Sequence, residues 1–123
     1  MARKFEDIEV WQLARILVKG IFTLTTSESV RKNYCIVDQI QRAALSVMNN
    51  VSEGFERQSN KEFVYFLKIA KGSVGEVRSM LYVLLDLNFI DDSQFQAYHN
   101  QSLAISKSLS GFISYLKNNT IKP

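Results

Sequence analysis

The spacing of apolar residues constrains the fold most strongly, because they recur at steps of three and four along nearly the whole chain. Such spacing places apolar side chains on one face of an α-helix. Four separate stripes of this kind predict four helices, over about residues 7–26, 34–53, 60–87 and 93–117. Polar segments separate the stripes and are too short to hold a further element.

Local signals predict where the helices end and begin. Gly54 follows the second stripe directly and predicts a left-handed helix stop. Ser59 and Glu62 have the spacing of a capping box for the third helix, and Asp92 or Ser93 is expected to cap the fourth. Short connections favour antiparallel neighbours. The predicted fold is therefore an all-α, antiparallel up-down-up-down four-helix bundle.

Composition supports one helical domain over residues 1–123. The hydrophobic fraction is 46%, and one proline and five glycines are too few for a sandwich or barrel rich in turns. Cys35 is the single cysteine, which excludes an internal disulfide framework and suits a reducing compartment. The N-terminus has no apolar signal core, and the longest apolar run is too short for a membrane span. We expect a cytoplasmic protein without a membrane partner.

Patterns typical of catalysis are scarce. His99 is the single histidine, so a multi-histidine metal site is excluded, and its position at the edge of a stripe favours a structural role. The segment Gly72 to Gly75 lies mid-helix, lacks the lysine-serine pair of a phosphate loop and predicts a close helix–helix contact instead. We expect no enzyme activity, no cofactor, no metal and no small-molecule substrate.

The third helix combines positive charge with an exposed aromatic residue. Four of its basic residues fall within an arc of about 100°, opposite the apolar stripe and without an acidic residue between them. An ordinary solvated face is one interpretation. The other is a nucleic-acid surface, in which cations follow the phosphates and an aromatic ring stacks on a base. The predicted site comprises Arg57, Lys61, Tyr65, Lys68, Lys71 and Arg78.

The second helix carries a polar stripe on the face away from its apolar residues. A solvated surface is again one interpretation, and a self-complementary contact between subunits is the other. Leu45 and Phe55 lie outside the apolar stripe, which favours a partner surface. The predicted subunit or partner interface comprises Gln39, Arg42, Leu45, Ser46, Asn50, Glu53 and Phe55.

Several motifs, in order along the chain, resemble one bacterial protein family. They are Phe5-Glu-Asp-Ile-Glu-Val-Trp-Gln-Leu-Ala14, Gln39-Ile-Gln-Arg-Ala-Ala44, Ser46, Asn50-Val-Ser-Glu-Gly-Phe55, Ser59-Asn-Lys-Glu-Phe63 and Ile69-Ala-Lys-Gly-Ser73. The family comprises four-helix-bundle proteins first noted as reading frames within intervening sequences of 23S ribosomal RNA genes. The accessory variability protein of diversity-generating retroelements is similar. The resemblance covers nearly the whole chain.

The resemblance implies a four-helix protomer that assembles into a ring-like homo-pentamer. It also implies a basic surface that, in the retroelement relatives, contacts nucleic acid and the reverse transcriptase. It implies no established enzyme activity. Met48 stands where many relatives have proline, and Arg78 where an acidic residue is more frequent, so this third helix is more basic than the family pattern requires.

Two functional hypotheses follow. The first is a non-catalytic, homo-oligomeric protein that binds RNA, or another nucleic acid, as an accessory in a ribonucleoprotein. Its formal net charge of +3 permits such a partner without requiring one. The alternative is a protein-interaction scaffold with no nucleic-acid role, in which the second-helix interface is the working surface.

Overall fold

The computed structural model describes residues 2–119, and all structural statements below refer to this part of the chain. A short 3₁₀ turn, Phe5–Asp7, precedes four α-helices. These are α1 (Glu9–Thr25), α2 (Tyr34–Glu56), α3 (Asn60–Asp86) and α4 (Asp92–Asn118). All four predicted helices are present. The largest boundary difference lies at the end of α2, which runs three residues beyond the expected Glu53.

The helices form the expected four-helix bundle, with one hydrophobic core running along its axis. Each helix packs against its neighbours in chain order, and α4 closes the bundle by packing on α1. Every helix contributes side chains that are almost wholly removed from water, and this burial is the main stabilising term. Those that fill the centre include Leu17, Ile21, Ile40, Val47, Leu67, Leu81, Ile105 and Leu109.

The prediction that Gly54 stops α2 in a left-handed conformation is wrong. Gly54 is a buried helical residue without a positive φ, and the left-handed position is Gln58 with φ 58°. A Cβ atom at Gly54 would lie 2.8 Å from Phe63 Cδ1 and 2.9 Å from Phe66 Cβ. Glycine is therefore present because α3 crosses α2 closely at this point, and not because the backbone turns there.

The caps agree with the sequence at α3 and differ at α4. Ser59 caps α3 by accepting from the backbone N–H of Glu62 at 3.3 Å, as predicted. The expected capping box is only half formed, because the Glu62 carboxylate accepts from Arg57 at 3.2 Å and does not bond back to Ser59. At α4 the cap is Asp91, not Asp92 or Ser93, and it forms a reciprocal capping box with Gln94. Asp91 has the extended backbone of an N-cap residue, with φ −94° and ψ 175°, so the helix starts one residue earlier than expected.

The other helical glycines also differ from expectation. Added Cβ atoms at Gly72 and Gly75 would meet nothing within 4 Å, so the predicted close helix–helix contact there is wrong within the described chain. By contrast, a Cβ atom at Gly20 would lie 2.7 Å from Cε1 of Tyr98. Gly20 therefore allows α1 and α4 to approach one another, while Gly72 and Gly75 leave open space on the outside of α3.

Candidate nucleic-acid interface

The basic face of α3, which we define as Lys61, Lys68, Lys71 and Arg78, lies on the outside of the bundle. The three lysines are exposed, and Arg78 is half-buried. Within residues 2–119, the ion pairs of Arg31, Arg42 and Arg57 involve none of these four cations. From Lys61 to Arg78 the basic face extends roughly 25 Å along the helix axis. Its charge is thus available to an external anion.

Arg57 is placed differently from the rest of the predicted site. Its guanidinium donates to Glu53 at 2.8 Å and to Glu62 at 3.2 Å, and it lies 4.9 Å from the centre of the Phe66 ring. The hydrogen bond to Glu53 is the main reason that the pKa of Arg57 is raised. Two carboxylates already balance this cation, so Arg57 is tied to the turn between α2 and α3.

Lys117 of α4 adds a cation that the sequence reasoning did not include. Its close side-chain contact with Lys68, followed by the Coulomb repulsion between the two ammonium groups, lowers the pKa of Lys68. Two like charges held together favour the binding of an anion that lies between them. The basic face therefore continues from α3 across to α4.

The sequence contains a signal that the basic face extends to α4. After Asp92, the chain has no aspartate or glutamate, while Lys107 and Lys117 lie within α4. The helical pattern alone did not show that the end of α4 lies beside the first third of α3. Packing of the two helices brings Lys68 and Lys117 together.

Two exposed tyrosines flank the basic face. Tyr65, predicted as part of the site, is 61% exposed, and its ring contacts the Phe66 ring edge-on at a centroid distance of 5.2 Å. Tyr82, which was not predicted, is 49% exposed and lies 4.8 Å from the ring of Phe95 and 5.7 Å from that of His99. Aromatic rings held in this way can stack on unpaired bases.

The polar stripe of α2 is largely used inside the protomer. The hydroxyl groups of Ser46 and Ser73 lie 2.8 Å apart and join α2 to α3. Asn50 donates to the hydroxyl and to the carbonyl oxygen of Ser46, at 2.9 and 2.8 Å. These half-buried groups satisfy one another, so their polarity alone does not require a second subunit.

The remaining predicted interface residues are more accessible. Arg42 pairs with Asp38 at 3.0 Å on the helix surface, and Gln39 is exposed. Leu45 is 36% exposed, whereas Phe55 is half-buried and packs edge-on against Phe63 at 6.1 Å. Leu45 thus remains available to a partner, while Phe55 is partly occupied by α3.

Residues 2–119 contain no cluster of three or more histidine, cysteine, aspartate or glutamate side chains that could hold a metal ion. His99 is half-buried, and its ring stacks on Phe95 at a centroid distance of 5.1 Å. Its position at the edge of the core agrees with a structural role. No helix in this part of the chain is both long enough and apolar enough to cross a membrane.

The sequence match to a known family covers the whole of this site except Lys117. The family described as 23S rRNA-intervening sequence protein matches residues 6–111. A crystal structure of a protein of unknown function, from the S23 ribosomal protein family of Bacteroides thetaiotaomicron, is similar with a TM-score of 0.78 and 25% identity. That similarity covers 85% of this chain and 97% of the other. No curated protein matches the chain in sequence.

Proposed function

The chain belongs to the family of 23S rRNA-intervening sequence proteins, and from this premise we propose that it is a non-catalytic, homo-oligomeric RNA-binding protein. The basic face of α3, extended by Lys117, is the surface that meets the RNA. The family name associates such proteins with ribosomal RNA genes, and the similar solved structure is of unknown function. The proposal therefore depends on the chemistry of the surface itself.

The observation that carries the proposal is the lack of carboxylate partners for the basic face. Exposed cations that already hold a carboxylate gain little from a phosphate, because the existing ion pair must first be broken. Within residues 2–119, Lys61, Lys68 and Lys71 have no such pair to break. The repulsion between Lys68 and Lys117 would also be relieved by a bound phosphate.

Assembly would strengthen this binding. A protomer with four or five phosphate contacts binds weakly at physiological salt, whereas several copies held on one RNA act together through their high effective concentration. We therefore propose that the homo-pentamer implied by the family resemblance is the RNA-binding form. Light scattering at micromolar protein should give a mass five times that of the 14.1 kDa chain. A monomer mass throughout that range would contradict the pentamer.

The direct test of RNA binding is a salt series. A fluorescently labelled, structured RNA is titrated with the protein between 50 and 300 mM KCl, with anisotropy as the readout. The logarithm of the association constant should fall linearly with the logarithm of salt, with a slope of about −3 for four released counterions per protomer. No binding at 50 mM KCl, or a flat salt dependence, would overturn the proposal.

A protein-interaction scaffold is the second candidate function. Exposed apolar side chains favour it, since Leu45 on α2 and Ile69 on α3 are 36% and 37% exposed. The reverse transcriptase of a retroelement is one partner of this kind that the resemblance implies. If this candidate is correct, a pull-down with the tagged protein should recover the same partner after nuclease treatment, and Leu45→Glu should abolish the recovery.

A further inference from the structure

A pocket of about 670 Å³ lies at the end of the bundle where α2 ends, α3 begins and α4 ends. The segment before α1 closes one side of it through Ala2, Arg3 and Ile8. Its volume is within the range of about 300 to 1,000 Å³ that small-molecule sites occupy. No sequence motif pointed to this pocket, because its walls come from three separate parts of the chain.

The walls of the pocket are aromatic. Phe63 lies edge-on to Phe112 with ring centroids 5.1 Å apart, and Phe55 lies edge-on to Phe63 at 6.1 Å. Tyr115, which is 52% exposed, continues the row at 6.5 Å from Phe112. Phe63 is 7% exposed and belongs to the core, so the ring wall is anchored. A flat aromatic group can lie against such a wall with little loss of protein conformational freedom.

The polar residues around the pocket suit one class of flat ligand. Gln58, Asn60 and Asn119 line it, and the described lining contains Arg3 but no aspartate or glutamate. Within residues 2–119, the side-chain amides of Gln58 and Asn60 have no hydrogen-bond partner, and Asn119 uses one donor on the Tyr115 carbonyl at 2.7 Å. Amides offer a donor and an acceptor side by side, which matches the edge of a nucleobase.

We propose that this pocket binds an unpaired nucleobase, with its ring against the aromatic wall and its edge on the amides. This inference rests on the proposed function, since the base is one that the bound RNA supplies at a strand end or in a loop. Sequence-specific proteins commonly recognise single-stranded RNA through stacked, splayed bases of this kind. Arg3, as the one charged residue of the described lining, suits the adjoining phosphate.

The pocket is continuous with the basic face. Lys61 directly follows Asn60 in α3, and Lys117 directly follows Leu116 in α4, where Asn60 and Leu116 both line the pocket. Lys117 in turn contacts Lys68. A strand whose phosphates follow Lys68 and Lys117 therefore arrives at the pocket opening. Cations beside the pocket opening favour an anionic occupant such as a nucleotide over a cationic one.

Ligand-observed saturation-transfer NMR on the full chain tests the pocket without RNA. AMP and phenyl phosphate are compared because both carry a phosphate and an aromatic ring, but only AMP has a base edge. We expect AMP to bind at least tenfold more tightly. Equal affinity for the two ligands, or no saturation transfer from the protein to AMP at about 10 mM AMP, would overturn the nucleobase assignment.

Two variants locate the site. Tyr115→Ala removes the exposed end of the ring wall, and Asn60→Ala removes an unpartnered amide. Each should weaken AMP binding about tenfold, since stacking and amide pairing both contribute to base recognition. Tyr34→Ala is the matched control, because Tyr34 is 78% exposed at the start of α2, far from this end of the bundle. An equal loss in Tyr34→Ala would overturn the assignment.

An RNA experiment separates this proposal from the proposed function. A hairpin with a three-nucleotide 3′ overhang should bind at least fivefold more tightly than the same hairpin with a blunt end, and Tyr115→Ala should remove the advantage. If both hairpins bind equally and AMP does not bind, the pocket proposal fails while the RNA-binding function stands. If AMP binds through Tyr115 but neither hairpin binds at 50 mM KCl, the pocket proposal holds and the proposed function fails.

Discussion

The polar face of α2 and the basic face of α3 are similar on a helical projection but different in the folded chain. On α2, Ser46 and Asn50 bond to each other, and Ser46 also bonds to Ser73 of α3. On α3, Lys68 and Lys71 are exposed and have no carboxylate partner within residues 2–119. The polar groups of the α2 face are hydrogen-bonded within the protomer, whereas the ammonium groups of the α3 face remain free of carboxylates within residues 2–119.

This difference shows how a structural polar face can be told from a binding face. The half-buried Ser46 and Asn50 are hydrogen-bonded within the protein, and a buried polar group left without a partner would cost about 1–3 kcal/mol. Exposed ammonium groups are solvated and need no partner, so they can exchange water and counterions for phosphate. Substitutions of Ser46 or Asn50 on α2 should therefore change stability, and substitutions of the exposed lysines of the basic face should change binding.

The largest expected effect is on RNA binding by the basic face. Lys68→Glu combined with Lys71→Glu should weaken binding about a hundredfold, equivalent to about 2.7 kcal/mol, because two phosphate contacts become repulsive in every protomer. The salt slope should become shallower by about 2. Arg15→Glu with Lys19→Glu on α1 makes the same change in net charge. An equal loss in this control would show that overall charge, and not the basic face, determines binding.

Two glycines in different surroundings, Gly54 in the core and Gly72 on the outside of α3, test packing directly. Gly54→Ala should lower the free energy of unfolding by about 2 kcal/mol, since its Cβ would lie 2.8 Å from Phe63. Gly72→Ala, on the open side of α3, should raise it by up to about 1 kcal/mol through helix propensity. Chemical denaturation measures both. Equal changes in the free energy of unfolding would contradict the close packing at Gly54 and the open space at Gly72.

The serine pair between α2 and α3 should have a smaller effect. Ser46→Ala removes the partner of Ser73 and Asn50 and should cost about 1 kcal/mol of stability. Ser79→Ala, on an exposed position of α3, is the matched control and should stay within about 0.5 kcal/mol of the wild type. A double-mutant cycle with Ser73→Ala that shows no coupling energy would contradict the cross-helix bond.

The smallest effect concerns the contact between Lys68 and Lys117. Because the pKa of Lys68 is lowered, its charged form is disfavoured in the folded state, and this unfavourable contribution falls as pH rises from the folded-state pKa to the higher unfolded-state pKa. Lys117→Met should raise the pKa of Lys68 toward its ordinary value without loss of stability. NMR titration of the lysine side chains measures this shift. An unchanged pKa would show that the two ammonium groups do not interact.

Much of the fold was accessible from the sequence, because apolar periodicity reports burial on each helix separately. The helix count and the N-cap Ser59 were predicted on this basis. The role of Gly54 was not, since a helix stop and a close helix crossing both favour glycine. Glycine within a helix also occurs without any close contact, as at Gly72, so the residue type alone does not locate a crossing.

The candidate site could be predicted only in part from the sequence. The row of cations on α3 is visible in the sequence because steps of seven, three and seven residues place them on one helix face. The ion pairs of Arg57 with Glu53 and Glu62 were not predicted, although the four-residue spacing of Glu53 and Arg57 on one helix allows their pair. The pocket and the contact of Lys117 with Lys68 join residues far apart in the chain, which no local pattern reports.

The sequence by itself determined four amphipathic helices, their order and the positive charge on the outside of the third. Only the tertiary structure decided which polar groups pair across helices, where glycine permits a close crossing, and which aromatic residues enclose a pocket. The physical reason is that helical periodicity depends on local spacing along one helix. Pairing, steric fit and enclosure depend on distances between helices, and those are set only when the cores of all four pack together.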